Sequence, residues 1–223
     1  MIVPNVRTVS EGFLDMSLTD VSLLPNEETI PADVRTFLRE ADRRIDEFQR
    51  YSRVPSFVAS DFPSVYRVLR ALSAANLTAG NLFCEWGSGY GVVACLATML
   101  DYDAVGIEID GDLVEAAQKL ADDFGLPVEF IRGSFIPKAG EALVQVKGGL
   151  AWLTSEETST NHDIGLDPDD FDVIFAYPWP DEEGVTEKLF DRYAAHGALL
   201  LTYHGGDELR LRRKVSKKKR SDR

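Results

Sequence analysis

Apolar side chains recur at helical spacing in two stretches of the N-terminal third. Val34, Leu38, Ala41, Ile45 and Phe48 follow one another at intervals of four and three, the stripe of an amphipathic helix. Pro31-Ala32-Asp33 opens it, because proline suits the first helical turn and an acid suits the positive end of the helix. Val65, Val68, Leu69 and Leu72 share one face of a second helix over Pro63–Ala74. Residues 1–30 hold only short alternating patches, such as Val21-Ser22-Leu23, among turn formers. They read as irregular.

From residue 80 the period changes. Short apolar runs of strand length alternate with helical patterns, which predicts a mostly parallel sheet flanked by helices. The strands fall at Leu82–Trp86, Ala104–Ile109, Val128–Ile131, Phe171–Ala176 and Ala198–Tyr203. Helices fall between them at Val92–Met99, Asp112–Phe124 and Glu183–Ala195, with Gly125 and Gly197 where a helix C-terminal glycine belongs. Some 40 residues separate the third and fourth strands, too many for a plain loop. Within this 137–170 insertion, Glu141–Val146 reads as helix and the Thr/Ser/Glu-rich Thr154–Asn161 as a mobile segment. The chain thus divides into an N-terminal extension with helices packed on the core (1–78), an α/β core (79–208) and a basic C-terminal tail (209–223). Only 20 residues follow Tyr203, so Glu208–Val215 supplies at most one further strand and the C-terminal end is short.

Charge is unevenly spread. The 223 residues carry 24 Lys+Arg against 37 Asp+Glu, a net −13. Residues 209–223 alone hold nine Lys/Arg and one Asp, a local +8, which leaves −21 on the first 208. So acidic a body repels polyphosphate, and nucleic acid is an unlikely partner except through the tail. The run Ser216-Lys217-Lys218-Lys219-Arg220 could grip an anion, though such ends are more commonly solvated. No apolar run reaches the roughly 18 residues of a membrane span, and the N-terminus lacks the pattern of a secretory signal. Cys84 and Cys95 lie in apolar segments and are too few for a disulfide framework or a four-cysteine metal site. A cytoplasmic setting without a metal is expected.

The chemistry concentrates at Glu85-Trp86-Gly87-Ser88-Gly89-Tyr90-Gly91. A strand ends in an acid and then in alternate glycines just before a helix, where bare backbone can turn tightly and approach a ligand. In an open parallel sheet, ligands bind at this edge. Glu108 ends the next strand, placed to accept hydrogen bonds from ribose hydroxyls. A dinucleotide fingerprint wants its third glycine at the sixth position, which here is Val92, the fifth being Gly91. The pattern acidic–x–Gly–x–Gly–x–Gly instead resembles motif I of the class I S-adenosylmethionine-dependent methyltransferases, over residues 55–205.

That resemblance implies a Rossmann-like core that binds S-adenosyl-L-methionine and transfers its methyl group. It places Gly87, Ser88, Gly89 and Gly91 in the cofactor loop, Glu85 as anchor of that loop and of the cofactor's amino group, and Glu108 on the ribose. Where the family often has an acid for the adenine amino group, this chain has Gly133-Ser134-Phe135, so Ser134 would bond and Phe135 would pack there. Pro55-Ser56-Phe57-Val58-Ala59-Ser60-Asp61 is similar to the segment that closes over the cofactor in some protein-lysine methyltransferases. The hairpin that usually completes the fold has little chain left to form it.

The fourth strand runs into Ala176-Tyr177-Pro178-Trp179-Pro180. Amino-directed members of the family commonly carry Asn/Asp/Ser-Pro-Pro-aromatic here, to orient the attacking nitrogen. Tyr177 takes the polar position and Trp179 that of the second proline, so both are candidate catalytic residues although the carboxamide is missing. The bland alternative is a proline-stiffened turn. His204, at the end of the fifth strand, would face the same cleft and could take a proton, whereas His162 and His196 have no metal-ligand spacing and Cys84 reads as core. The expected acceptor is a protein or a small molecule, with an amine nitrogen as the candidate atom. Two rivals remain: a catalytically silent cofactor-binding scaffold of the same fold, and an NAD-dependent oxidoreductase.

Overall fold

The computed structural model describes residues 16–23, 28–52, 54, 57–137, 140, 166–206 and 208–216. The expected helix Glu141–Val146, the segment Thr154–Asn161, His162 and the run 217–223 lie outside them. In chain order the elements are β1 (Met16–Asp20), α1 (Ala32–Tyr51), α2 (Phe62–Ala74), β2 (Leu82–Trp86), α3 (Val92–Thr98), β3 (Asp103–Glu108), α4 (Gly111–Asp123), β4 (Glu129–Arg132), β5 (Val173–Ala176), α5 (Glu183–Tyr193), β6 (Leu199–Tyr203) and β7 (Leu209–Ser216).

The strands form one sheet in the order β1-β7-β6-β5-β2-β3-β4. Strands β2 to β6 are parallel, with Phe83 paired to Ala104 on one side and to Val173 on the other. From β2 the chain steps outward through β3 and β4, then returns to the far side of β2 and steps out through β5 and β6. The order therefore reverses between β2 and β5, where a doubly wound sheet opens a crevice at its C-terminal edge.

Both faces of the central strands are covered, which is why β2, β5 and β6 read as continuous apolar runs. On one face Phe83, Val173, Phe175, Leu199 and Leu201 join Phe37, Leu69, Leu96 and Leu120 from α1 to α4. On the other, Cys84, Trp86, Ile174 and Leu200 meet Val185, Leu189 and Phe190 of α5. Helix starts are set by side chains: Asp61 accepts from Ser64 N at 3.1 Å to begin α2, and Asp110 accepts from Asp112 N and Leu113 N to begin α4.

The two ends of the chain depart from expectation. The N-terminal segment is not irregular throughout: Met16–Asp20 is a strand, antiparallel to β7 in register Met16↔Ser216 to Asp20↔Arg212. Strand β7 is itself antiparallel to β6, so the hairpin β6–β7 and the N-terminal β1 together complete the sheet. The short C-terminal end needs no second strand of its own. Half of the basic segment is thereby structural. Arg212 pairs with Asp20 at 3.0 Å and Glu187 at 2.7 Å, Arg213 donates to Leu77 O, and the buried Lys214 donates to Ala194 O at the end of α5. No helix among the described residues is long and apolar enough to cross a membrane.

Candidate functional site

At the C-terminal edge of β2, β3 and β5, on the switch point, lies a cavity of about 500 Å³, within the range of small-molecule sites. The loop after β2 forms one rim. Gly87, Gly89 and Gly91 all have positive φ, at 69°, 52° and 72°. Ser88 N donates to Ile107 O at 2.9 Å and Gly91 N to Ser88 O at 2.7 Å, which closes the turn.

Two carboxylates pin this loop. Glu85, on β2, accepts from Ala94 N in the first turn of α3 at 2.8 Å. Burial pushes its proton affinity well up, against that hydrogen bond and with the charge of Glu108 adding to the rise. Glu108, at the end of β3, accepts from Gly89 N at 2.8 Å through Oε2, and from Ile109 N and Asp110 N through Oε1. Burial raises its proton affinity as well, opposed by those three donors.

The cavity wall includes Glu85, Gly87, Ser88, Gly89, Glu108, Ser134, Phe135, Tyr177 and Trp179, so nine of the ten site residues expected from the sequence meet in one place. Gly91 does not reach it. A Cβ there would stand 2.3 Å from the Phe130 ring and 2.8 Å from Ala117 Cβ, so this glycine lets α3 close on the core. Gly89 differs, its Cβ position lying 2.6 Å from the Phe57 ring, which covers the loop from above. Phe57, Val58, Ala59 and Ser60 line the cavity as the segment similarity implies; Pro55 and Ser56 lie outside the described residues.

Beyond β4, Ser134 Oγ accepts from Ile136 N at 3.2 Å, and Phe135 stacks on Trp86 with ring centres 5.0 Å apart and planes 10° from parallel. On the opposite rim, Tyr177 packs edge-on against Tyr203, and burial raises its phenol's pKa. Trp179 N donates to Glu182 Oε2 at 3.3 Å.

His204 does not line the cavity. Its side chain is 5% exposed and held between Thr202 Oγ1 at 2.8 Å and Glu183 Oε1 at 3.0 Å, which ties the end of β6 to the start of α5. His196 receives Ser216 N. Cys84 is fully buried in β2, as expected of core, and burial raises its thiol pKa. Among the described residues no three His, Cys, Asp or Glu side chains are grouped to hold a metal.

Sequence reasoning did not single out Glu182 as a wall residue. Glu182 is 5% exposed, and burial raises its carboxyl pKa despite the bond from Trp179 N. Its place in Asp181-Glu182-Glu183 reads as an ordinary acidic helix start. Ser60 carried no signal beyond its segment. Three buried polar atoms on the wall lack any partner among the described residues: Ser60 Oγ, Ser88 Oγ and Glu182 Oε1. Buried polar atoms are nearly always paired, so three orphans around one cavity point to a polar ligand.

No protein-family model matches the sequence, and no curated protein does. Solved structures do match in shape. An RNA methyltransferase from Salinibacter ruber, in complex with S-adenosyl-L-homocysteine, aligns with a TM-score of 0.50 at 19% identity, over 74% of this chain and 98% of its own. A methyltransferase from Geobacter sulfurreducens gives 0.51 at 16% identity, over 83% and 99%. An S-adenosylhomocysteine-bound methyltransferase from Podospora anserina gives 0.50 at 14% identity, over 79% and 64%. At these identities the likeness is one of architecture: the chain has the class I S-adenosylmethionine-dependent methyltransferase fold.

Proposed function

We propose that the chain is an S-adenosylmethionine-dependent methyltransferase acting on an amine nitrogen of a protein or small molecule. The observation that carries this reading is the cavity at the switch point, where a glycine loop and two carboxylates on adjacent strands surround an unpartnered Ser88 Oγ. The residues fit the cofactor. Gly87, Ser88 and Gly89 would hold its methionine and ribose side, Glu85 its amino group, Glu108 the ribose, and Ser134 with Phe135 the adenine. Among the described residues no Lys, Arg or His lines the cavity, which suits a cationic sulfonium and opposes a dinucleotide's pyrophosphate.

When bound, S-adenosylmethionine supplies a methyl group already activated by positive sulfur. The protein's task is then to orient the acceptor at close approach. Tyr177, Trp179 and Phe57 strip water from an entering amine, and burial favours its neutral, nucleophilic form. The acidic first 208 residues, at −21, weigh against a nucleic-acid acceptor.

Calorimetry with S-adenosylhomocysteine tests the donor half, and transfer of labelled methyl into a cell extract tests the acceptor half. We expect binding to survive Tyr177→Ala and Trp179→Ala within about threefold while transfer falls about tenfold or more, the general range for a lost positioning contact. Full transfer by both variants would remove the rim's role. Tight binding with no transfer to any fraction would favour a silent scaffold, and absence of binding would sink the reading altogether.

A further inference from the structure

Each carboxylate on the cavity wall has a different account. Glu108 is engaged by three backbone N–H groups and Glu85 by the N–H of Ala94. Glu182 receives only a long bond, 3.3 Å from Trp179 N to Oε2, and its Oε1 is buried with no partner. A desolvated carboxylate oxygen without a donor is costly, and the helix start that favours an acid here does not supply a donor to Oε1. Glu182 stands one residue, Asp181, beyond Tyr177-Pro178-Trp179-Pro180, on the rim across from the glycine loop.

The rest of the wall restricts what can meet it. Among the described residues of the wall, three carboxylates and no basic side chain repel phosphate and carboxylate acceptors. The aromatic faces of Tyr177, Trp179 and Phe57 suit a cation. A group that brings both positive charge and N–H donors satisfies the orphan oxygen and the walls together.

Resting on the methyl-transfer reading above, we propose that Glu182 is a catalytic residue and that the acceptor is a protonated primary or secondary amine. Oε1 receives an N–H of the ammonium and takes its proton, leaving a carboxylic acid and a neutral amine. The freed nitrogen lone pair forms the N–C bond to the donor's methyl as the C–S bond breaks, its electron pair going to sulfur. Glu182 then gives its proton to water. The products are the methylated ammonium, S-adenosylhomocysteine and one released proton. The buried carboxyl regains its charge once an ammonium pairs with it, so the same burial that raises its proton affinity makes it a stronger base.

The test compares wild type with Glu182→Gln and Glu182→Asp, after thermal melts confirm that each folds. n-Butylammonium chloride and Nα-acetyl-lysine methylamide serve as amine probes, and n-butanol as the hydroxyl control. We expect Glu182→Gln to bind S-adenosylhomocysteine within twofold of wild type, yet to lose about a hundredfold or more in kcat/KM on the amines, the usual range for a general base. Glu182→Asp recovers about tenfold of that loss. Calorimetry of n-butylammonium with the S-adenosylhomocysteine complex gives a readout free of turnover, and its affinity falls at least tenfold in Glu182→Gln. Equal n-butylammonium affinity in both proteins, wild-type turnover by Glu182→Gln, or methylation of n-butanol in preference to the amines would each overturn the assignment and leave the cofactor reading intact. Failure of wild type to bind S-adenosylhomocysteine would instead overturn the cofactor reading, and the assignment with it.

Discussion

Glu108 and Glu182 stand on opposite rims of one cavity, and the chain treats them differently. Glu108 is fixed by the N–H groups of Gly89, Ile109 and Asp110, so its position is a property of the backbone. Glu182 keeps one oxygen unengaged and is flanked by aromatic side chains. On the function proposed above, the donor rim is therefore main chain held by carboxylates, while the acceptor rim is side chain mounted on a stiff loop. A rim of the first kind cannot change without disturbing the fold. A rim of the second kind can be altered freely, which is how one architecture serves many acceptors.

The largest effect we expect breaks the donor rim through the fold itself. Gly91→Ala puts a methyl 2.3 Å from the Phe130 ring at a φ of +72°, so it adds overpacking to left-handed strain. Together these cost about 2–4 kcal/mol, or roughly 5–15 °C in Tm for a chain of this size. An equally bulky change on the acceptor rim, Pro180→Leu, should cost far less. Thermal melts of the two variants check the contrast, and equal losses would mean that both rims belong to the core.

How this asymmetry shows in the sequence follows from the same physics. Strands buried on both faces read as apolar runs, so β2, β5 and β6 and the cavity edge they form were legible from Leu82-Phe83-Cys84, Ile174-Phe175 and Leu199-Leu200-Leu201. The glycine loop was legible because few residues tolerate its conformation. Strand β1 was not: Met16-Ser17-Leu18-Thr19-Asp20 has no apolar run, and its partner lies at the far end of the chain. Strand β7 was legible as the one further strand over Glu208–Val215, but not its partners, since Arg212, Arg213 and Lys214 find theirs through tertiary contacts. Glu182 was hidden for a related reason. An acid beside a helix start is favoured by the helix alone, so its burial could not be inferred from Asp181-Glu182-Glu183.

A smaller effect sharpens the comparison within the ligand site. Glu108→Ala removes the acceptor for Gly89 N and, on the proposed reading, the charged partner for ribose hydroxyls. We expect S-adenosylhomocysteine affinity to fall by about 1–3 kcal/mol, the value of hydrogen bonds to a charged group. Calorimetry measures it directly, and an unchanged affinity would show that the backbone holds the loop without its carboxylate.

The smallest effect concerns Glu85, which is buried as Glu182 is but held by the backbone as Glu108 is. Burial raises its folded-state proton affinity above the ordinary value of 4.5. Well below pH 4.5 the folded and unfolded chains both hold this proton, and the group is neutral toward stability. As pH rises past that value the unfolded chain releases its proton first, so the fold loses stability until the buried carboxyl also ionises. Glu85→Gln keeps an oxygen for Ala94 N and carries no charge, so it escapes this loss. Its Tm should exceed that of wild type at pH 8 by about 2–4 °C, roughly 1 kcal/mol at this chain length, with the gap closing as pH falls toward 4.5. The same variant should bind S-adenosylhomocysteine more weakly, because the amino group it is assigned loses a charged partner. A Tm gap that stayed constant with pH would show that folding leaves the proton affinity of the Glu85 carboxyl unchanged, its burial being offset in full by the N–H of Ala94.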